Sequence, residues 1–236
     1  PLRIDTTRGG ATSSEVFEYD PSDRLTSWCQ GTSCAGASAS IAYSYDAVGN
    51  RTQQVRTGVS DPGTTSYQYD VADQLIEITG PSGTVVPTYD AVGNLTGQAG
   101  TSFAYDLAGR MTSTTTGGVT TGYRYDGDNK RVDRSTNGVT DTRYEWDIAG
   151  GLPELALERD SAGAVTRRWV HGPTGPAWMS IPTGSFSDPV TYVYHRDHLG
   201  SVTDLTDMAG TSVASYTYEP FGQQIGTDTV GAPANP

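Results

Sequence analysis

Residues 45–52 read YDAVGNRT and residues 89–96 read YDAVGNLT, two near copies 44 positions apart. An aromatic, an acid, two further residues and then glycine form the pattern of a tight reversal entered from a strand. Outward from these copies, the aromatic–acid pair recurs at Tyr19-Asp20, Tyr69-Asp70, Tyr105-Asp106, Tyr125-Asp126 and Trp146-Asp147, at intervals of 16 to 26 residues along the series. Two looser copies follow around Tyr192-Val193-Tyr194 and Tyr216-Thr217-Tyr218. Recurrence on this period signals one supersecondary unit used many times over.

The fourth residue after each aromatic is Asp23, Gly49, Asp73, Gly93, Gly109, Asn129 or Gly150. Gly, Asn and Asp are the types that tolerate positive φ. With Asp20, Asp46, Asp70, Asp90, Asp106, Asp126 and Asp147 at the turn entry, the sequence predicts type I turns closed by a G1 bulge, each entry carboxylate accepting backbone N–H groups. Two positions before the pair stand Phe17, Tyr43, Tyr67, Phe103, Tyr123 and Tyr144. Period two puts them on the same strand face as Tyr19, Tyr45, Tyr69, Tyr105, Tyr125 and Trp146, so these strands each carry a pair of aromatic rungs, while Tyr89 stands alone on its strand. Beyond each corner, Leu25, Arg51, Leu75, Leu95, Met111, Arg131 and Leu152 open a second alternating strand. Nine such units give about 18 strands, and because a lone hairpin cannot bury its aromatic face, neighbours must stack side by side.

Composition agrees with this reading. The chain has 236 residues with 29 Gly and 14 Tyr, and its intervening segments are rich in Thr and Ser, the palette of short strands and turns in a nearly all-β domain. A net charge of -12, with Lys130 the sole lysine and the arginines scattered, repels phosphate backbones and excludes nucleic acid as an expected partner. No apolar run approaches the roughly 20 residues of a membrane span, and no basic-then-apolar leader opens the chain. A start at Pro1 suggests a segment of a longer polypeptide or a processed product. Cys29 and Cys34, in WCQGTSCAG, are spaced for a local disulfide and are too few for a zinc site. If oxidised, the pair points to a secreted protein.

Motifs that could carry chemistry weigh little. His195-Arg196-Asp197 resembles a kinase catalytic loop without its glycine-rich loop, lysine strand or D-F-G, and His195 and His198 fall on opposite faces of a strand, so the better reading is a polar turn replacing the usual corner. Asp126-Gly127-Asp128-Asn129 opens like a calcium loop, yet Asn137 stands where the twelfth-position Glu belongs; it reads as the sixth corner. Asn50-Arg51-Thr52 and Asn94-Leu95-Thr96 fit a glycosylation pattern only because the repeat writes them. No nucleophile motif is present, and carboxylates at repeat spacing suit turn capping, so neither a cofactor nor catalysis is expected.

The pattern Y-x-Y-D-x-x-G-N/R-L/M-T resembles the RHS/YD-repeat family, which includes bacterial polymorphic toxins, the shell-forming component of insecticidal toxin complexes, and the teneurins. Tyr194–Gln223, YHRDHLGSVTDLTDMAGTSVASYTYEPFGQ, is similar to the RHS-associated core of that family. The resemblance implies an all-β fold of repeated antiparallel hairpins in a continuous spiralling sheet, a shell or an arc of one. Residues 1–190 would be repeats and 191–236 the start of the core. It implies a secreted or cell-surface bacterial protein that forms the wall of a shell enclosing or presenting a polypeptide such as a C-terminal toxin, with other repeats and domains of a longer parent chain as partners. The alternative is an extracellular adhesion module whose tyrosine-rich faces hold glycan or a cell-surface partner. The family's aspartyl autoprotease segment, D-P-x-G-x-x-G-G, has no match: Asp188-Pro189 is followed by Val190-Thr191. Autoproteolysis and a toxin domain are therefore not carried over, and the Asp188-Pro189 bond is expected to stay intact.

Overall fold

The computed structural model describes residues 2–8, 11–183 and 189–229; Asp188 lies outside them. The chain divides into two compact units, Pro1–Ser102 and Phe103–Pro236, and every described element is a β-strand.

The first unit opens with β1 (Leu2–Arg8), β2 (Ala11–Tyr19), β3 (Leu25–Gln30) and β4 (Ser40–Tyr45). It continues with β5 (Arg51–Thr57), β6 (Gly63–Tyr69), β7 (Leu75–Gly80) and β8 (Gly83–Val85). These eight are antiparallel and hydrogen-bonded in chain order. A second ladder then starts with β9 (Thr88–Tyr89), β10 (Leu95–Gln98) and β11 (Thr101–Tyr105). A continuous sheet is thus corrected to two: the ladder breaks at Val86-Pro87, where proline has no N–H to donate and the flanking strands have three residues and two. Side chains span the break, since the Tyr89 hydroxyl donates to the Leu75 carbonyl at 2.9 Å. The core of this unit is Val16, Trp28, Cys29, Ile41 and Tyr43, all buried. Cys29 and Cys34 form a disulfide with Cα atoms 5.3 Å apart, closing the loop between β3 and β4.

In the second unit come β12 (Met111–Thr116), β13 (Val119–Tyr125), β14 (Arg131–Thr136), β15 (Val139–Asp147), β16 (Glu154–Arg159) and β17 (Val165–Gly172). They are followed by β18 (Gly175–Pro182), β19 (Pro189–Arg196), β20 (Val202–Thr206), β21 (Ser212–Tyr218) and β22 (Gln224–Thr229), again paired antiparallel in chain order. The 22 described strands exceed the expected 18 because not every reversal begins with an aromatic–acid pair. Trp169, Met179, Tyr192, Tyr194, Leu205, Ala214 and Tyr216 form one buried cluster. Cross-strand partners Trp169↔Met179, Met179↔Tyr192, Tyr194↔Leu205 and Leu205↔Ala214 place them on one face of β17 to β21, as period two demands.

Candidate functional site

The repeated corner is the structural unit from which any site must be built. At Asp46 the backbone N–H donates to the Asn50 carbonyl at 2.9 Å, and the Gly49 N–H returns to the Asp46 carbonyl at 3.3 Å. Asp46 Oδ1 accepts the N–H groups of Val48, Gly49 and Asn50 at 3.1, 2.8 and 2.8 Å. Asp20, Asp70, Asp90, Asp106 and Asp126 repeat the backbone closure. Gly49, Gly93 and Gly109 have φ of 105°, 91° and 74°, and Asp23, Asp73 and Asn129 have 59°, 60° and 64°. The N–H of Arg110, then its guanidinium, hold the Asp106 carboxyl below the usual carboxylate range; the N–H of Lys130 does the same for Asp126.

The seventh corner departs from the rest. Asp147 caps the Ala149 N–H at 2.9 Å, but the left-handed residue is Gly151 rather than Gly150. The strand resumes at Glu154, seven positions beyond the aspartate instead of five, so Gly-Gly-Leu-Pro forms a longer loop and the left-handed position slides by one.

Four further corners follow, three of them without an aromatic before the acid and the fourth, at Glu219, preceded by Tyr218. Asp160–Gly163, Asp197–Gly200, Asp207–Gly210 and Glu219–Gly222 close with the same pair of backbone bonds, at 2.7–3.1 Å. Arg159, Arg196 and Thr206 stand before the first three acids, so an aromatic was the wrong requirement; acid-x-x-Gly finds all four. His195-Arg196-Asp197 is consequently a usual corner and not a substitute for one: Asp197 Oδ1 accepts the Leu199 and Ser201 N–H groups, both at 2.9 Å.

The rungs bind backwards onto the preceding hairpin. Tyr45, Tyr69, Tyr125 and Tyr218 donate their hydroxyls to the carbonyls of Leu25, Arg51, Met111 and Val202 at 2.7, 3.0, 2.8 and 2.9 Å. Trp146 makes the same bond through Nε1 to the Arg131 carbonyl at 2.8 Å. Each acceptor is the first residue after the previous corner on that edge. Tyr43 is buried, Tyr19 is 46% exposed, and Tyr67, Tyr105, Tyr123 and Tyr144 are half-buried. Guanidiniums cover several rings: Arg24 over Tyr45 at 5.0 Å, Arg51 over Tyr67 at 4.7 Å, Arg131 over Tyr123 at 4.4 Å.

The residue immediately after the left-handed position, which the sequence reading left out of the site, ties corners together. Arg24 bonds the Asp20 carboxylate at 2.7 Å and the Asp46 carbonyl, one corner on, at 2.9 Å. Asn50 Nδ2 bonds Asp46 at 3.1 Å and Asp73 at 2.9 Å. Arg110 bonds Asp106 at 2.7 Å, the Asp126 carbonyl at 3.2 Å and Asn129 Oδ1 at 3.0 Å. The signal was the Arg or Asn recurring at that position. Three corners, at Asp20, Asp46 and Asp106, thus grip the next from two sides, by a tyrosine reaching back and a polar side chain reaching forward, which fixes register along the sheet.

A match to the teneurin YD-shell family model covers residues 6–167. The chain belongs to that family. It is 28% identical over 191 residues to the tRNA3(Ser)-specific nuclease WapA of Bacillus spizizenii and 27% identical over 191 residues to the tRNA nuclease WapA of Bacillus subtilis strain 168. Each alignment covers 80% of this chain and 8% of the relative, so the chain spans about a twelfth of their length. Among solved structures, TcdB2-TccC3 without its hypervariable C-terminal region has a similar fold, with a TM-score of 0.54 and 15% identity over 97% of this chain and 14% of that one. The family match supports a structural shell role, and among the described residues no helix is long and apolar enough to cross a membrane.

Proposed function

We propose that this chain is a length of wall in a secreted RHS-type β-shell that encloses or presents another polypeptide of its parent chain, a C-terminal toxin being the expected cargo. The observation that carries the reading is the two-sided grip between successive corners. A hairpin array whose coupling residues recur from corner to corner is built to extend and to stiffen, and its corner carboxylates and rung hydroxyls are committed to backbone groups rather than poised for reaction. The relatives named as tRNA nucleases support association of such walls with toxic polypeptides; in this chain the role is containment, not catalysis. Residues 191–236 would begin the core that closes the shell. The glycan-binding alternative is weakened by the rings themselves, whose polar tips are bonded and whose faces several arginines cover.

The test uses the intact parent protein. Limited proteolysis of the native molecule should leave the segment C-terminal to the repeats uncut, and the same segment should be degraded at once after the shell is denatured. Equal cleavage in both states would overturn containment.

A further inference from the structure

In a chain with 27 acidic side chains against 15 basic ones, a cation without a partner is unexpected. Every other described Lys or Arg side chain is held in an ion pair, over a tyrosine ring or, for Arg56, by the Ser60 carbonyl. Arg143 and Arg168 are exposed and have no partner among the described residues.

These two are neighbours on one face. Arg143 pairs across the ladder with Arg159, and Glu145 with Leu157, which in turn opposes Arg168. Because 143 and 145, and 157 and 159, are each two apart on regular strands, all five side chains leave the same side of β15, β16 and β17. The ion pair between Arg159 and Glu145, at 2.5 Å, confirms that shared face. Arg143 and Arg168 therefore stand two strands apart, roughly 10 Å across the sheet. Beside them lies an open depression of about 680 Å³ with Leu157, Val165 and Val170 among its lining and Arg159 and Arg168 at its wall. The nearby carboxylates have partners of their own: Asp133 is held by Arg124 and Glu145 by Arg159, and of the two that line the depression, Asp147 accepts the Ala149 N–H at 2.9 Å and Glu154 lies 3.7 Å from His171 Nδ1.

We propose that this face of β15–β17 docks an acidic, extended polypeptide segment, with Arg143 and Arg168 each taking a carboxylate and the aliphatic lining taking the apolar parts of the segment. Free guanidiniums offer a planar fork that matches carboxylates two-pronged, and on their long stems they can reach carboxylates two or four residues apart, about 7 or 13 Å, which share one face of an extended strand. A polypeptide is favoured over RNA because the net charge of -12 opposes a phosphate backbone approaching from any distance, while a short acidic segment needs only the local patch. The inference does not rest on the wall reading, since a docking face serves a module of either kind.

Fluorescence anisotropy with the whole chain and a fluorescein-labelled oligoglutamate peptide in low-salt buffer tests it. Binding should weaken as salt rises, and the double variant Arg143→Gln/Arg168→Gln should weaken it by about tenfold or more, because two charge-assisted contacts are lost. Arg3→Gln, which removes an exposed cation from the first unit, should leave it unchanged. Both residues are exposed, so an unchanged melting temperature will show that the double variant is folded. Absence of peptide binding, equal binding by the double variant, or tighter binding of a labelled oligouridylate than of the peptide would each overturn the proposal.

Discussion

Strands β12–β15 and β17–β21 belong to one unit and are held by different means. Along β12–β15 the only buried side chains are Asp133 and Thr142, and the cross-strand pairs are polar: Thr115 with Thr120 at 2.9 Å, Arg134 with Asp141 at 2.9 Å. Along β17–β21, seven apolar or aromatic residues are buried on one face. The corners, however, are the same in both. A hairpin array can therefore rest either on a packed face or on its edge fittings, with the reversals common to both, and the two stretches should fail under different mutations.

The largest effect should come from the packed face. Leu205 is fully buried, so Leu205→Ala is expected to cost about 3 kcal/mol in urea denaturation, whereas Val119→Ala, at a position 48% exposed in β13, should cost under about 0.5 kcal/mol. Similar losses at the two sites would erase the distinction between the regions.

Next come the corners, where the regions should agree. Gly109 and Gly200 have φ of 74° and 90°, and a Cβ at either meets nothing within 4 Å, so the strain of a β-branched residue in the left-handed region is the whole cost. Gly109→Val and Gly200→Val should each destabilise by about 1–3 kcal/mol, and by similar amounts. A cost confined to one of them would show that the corners are not equivalent.

Two tyrosines sharpen the contrast further. Tyr125→Phe removes the bond to the Met111 carbonyl and should cost about 1 kcal/mol. Tyr216 is 2% exposed in the core and its hydroxyl has no hydrogen-bond partner among the described residues, so Tyr216→Phe should be neutral or stabilising by thermal melt.

The smallest effect is acid sensitivity of β12–β14. Asp106 and Asp126 have folded-state pKa values below their unfolded ones, so their contribution is complete above the unfolded value of about 3.9 and is lost as pH falls through the folded value. Amide exchange across these corners should speed up below about pH 4, and Asp106→Asn should remove part of that dependence. Exchange at these corners that is flat down to the pH of global unfolding would contradict it.

The sequence made the hairpin unit legible because the residue types that tolerate positive φ are few and stand at a fixed offset from an aromatic. It concealed Asp160, Asp197 and Asp207, whose turns need only the acid and the glycine; the aromatic belongs to the rung and not to the turn. Gly150 was misplaced because Gly-Gly-Leu-Pro lengthens the loop, and fixed-offset counting cannot see an insertion. The break at Val86-Pro87 was marked by the proline itself. Least legible were the couplings of Arg24, Asn50 and Arg110, which depend on the lateral distance to the next corner, a quantity set by strand pairing across more than fifteen residues of sequence.

That lateral grip is the central claim, and a double-mutant cycle between adjacent corners tests it most directly. Arg110→Gln and Asn129→Gly, the second chosen because glycine keeps the positive φ of Asn129, remove the two sides of a contact 3.0 Å long between residues 19 apart in sequence. Stabilities from urea denaturation of the two single variants and the double variant should reveal a coupling energy of about 0.5–1 kcal/mol. Additivity within about 0.3 kcal/mol would show that each corner stands alone, and the account of a wall locked corner to corner would be wrong.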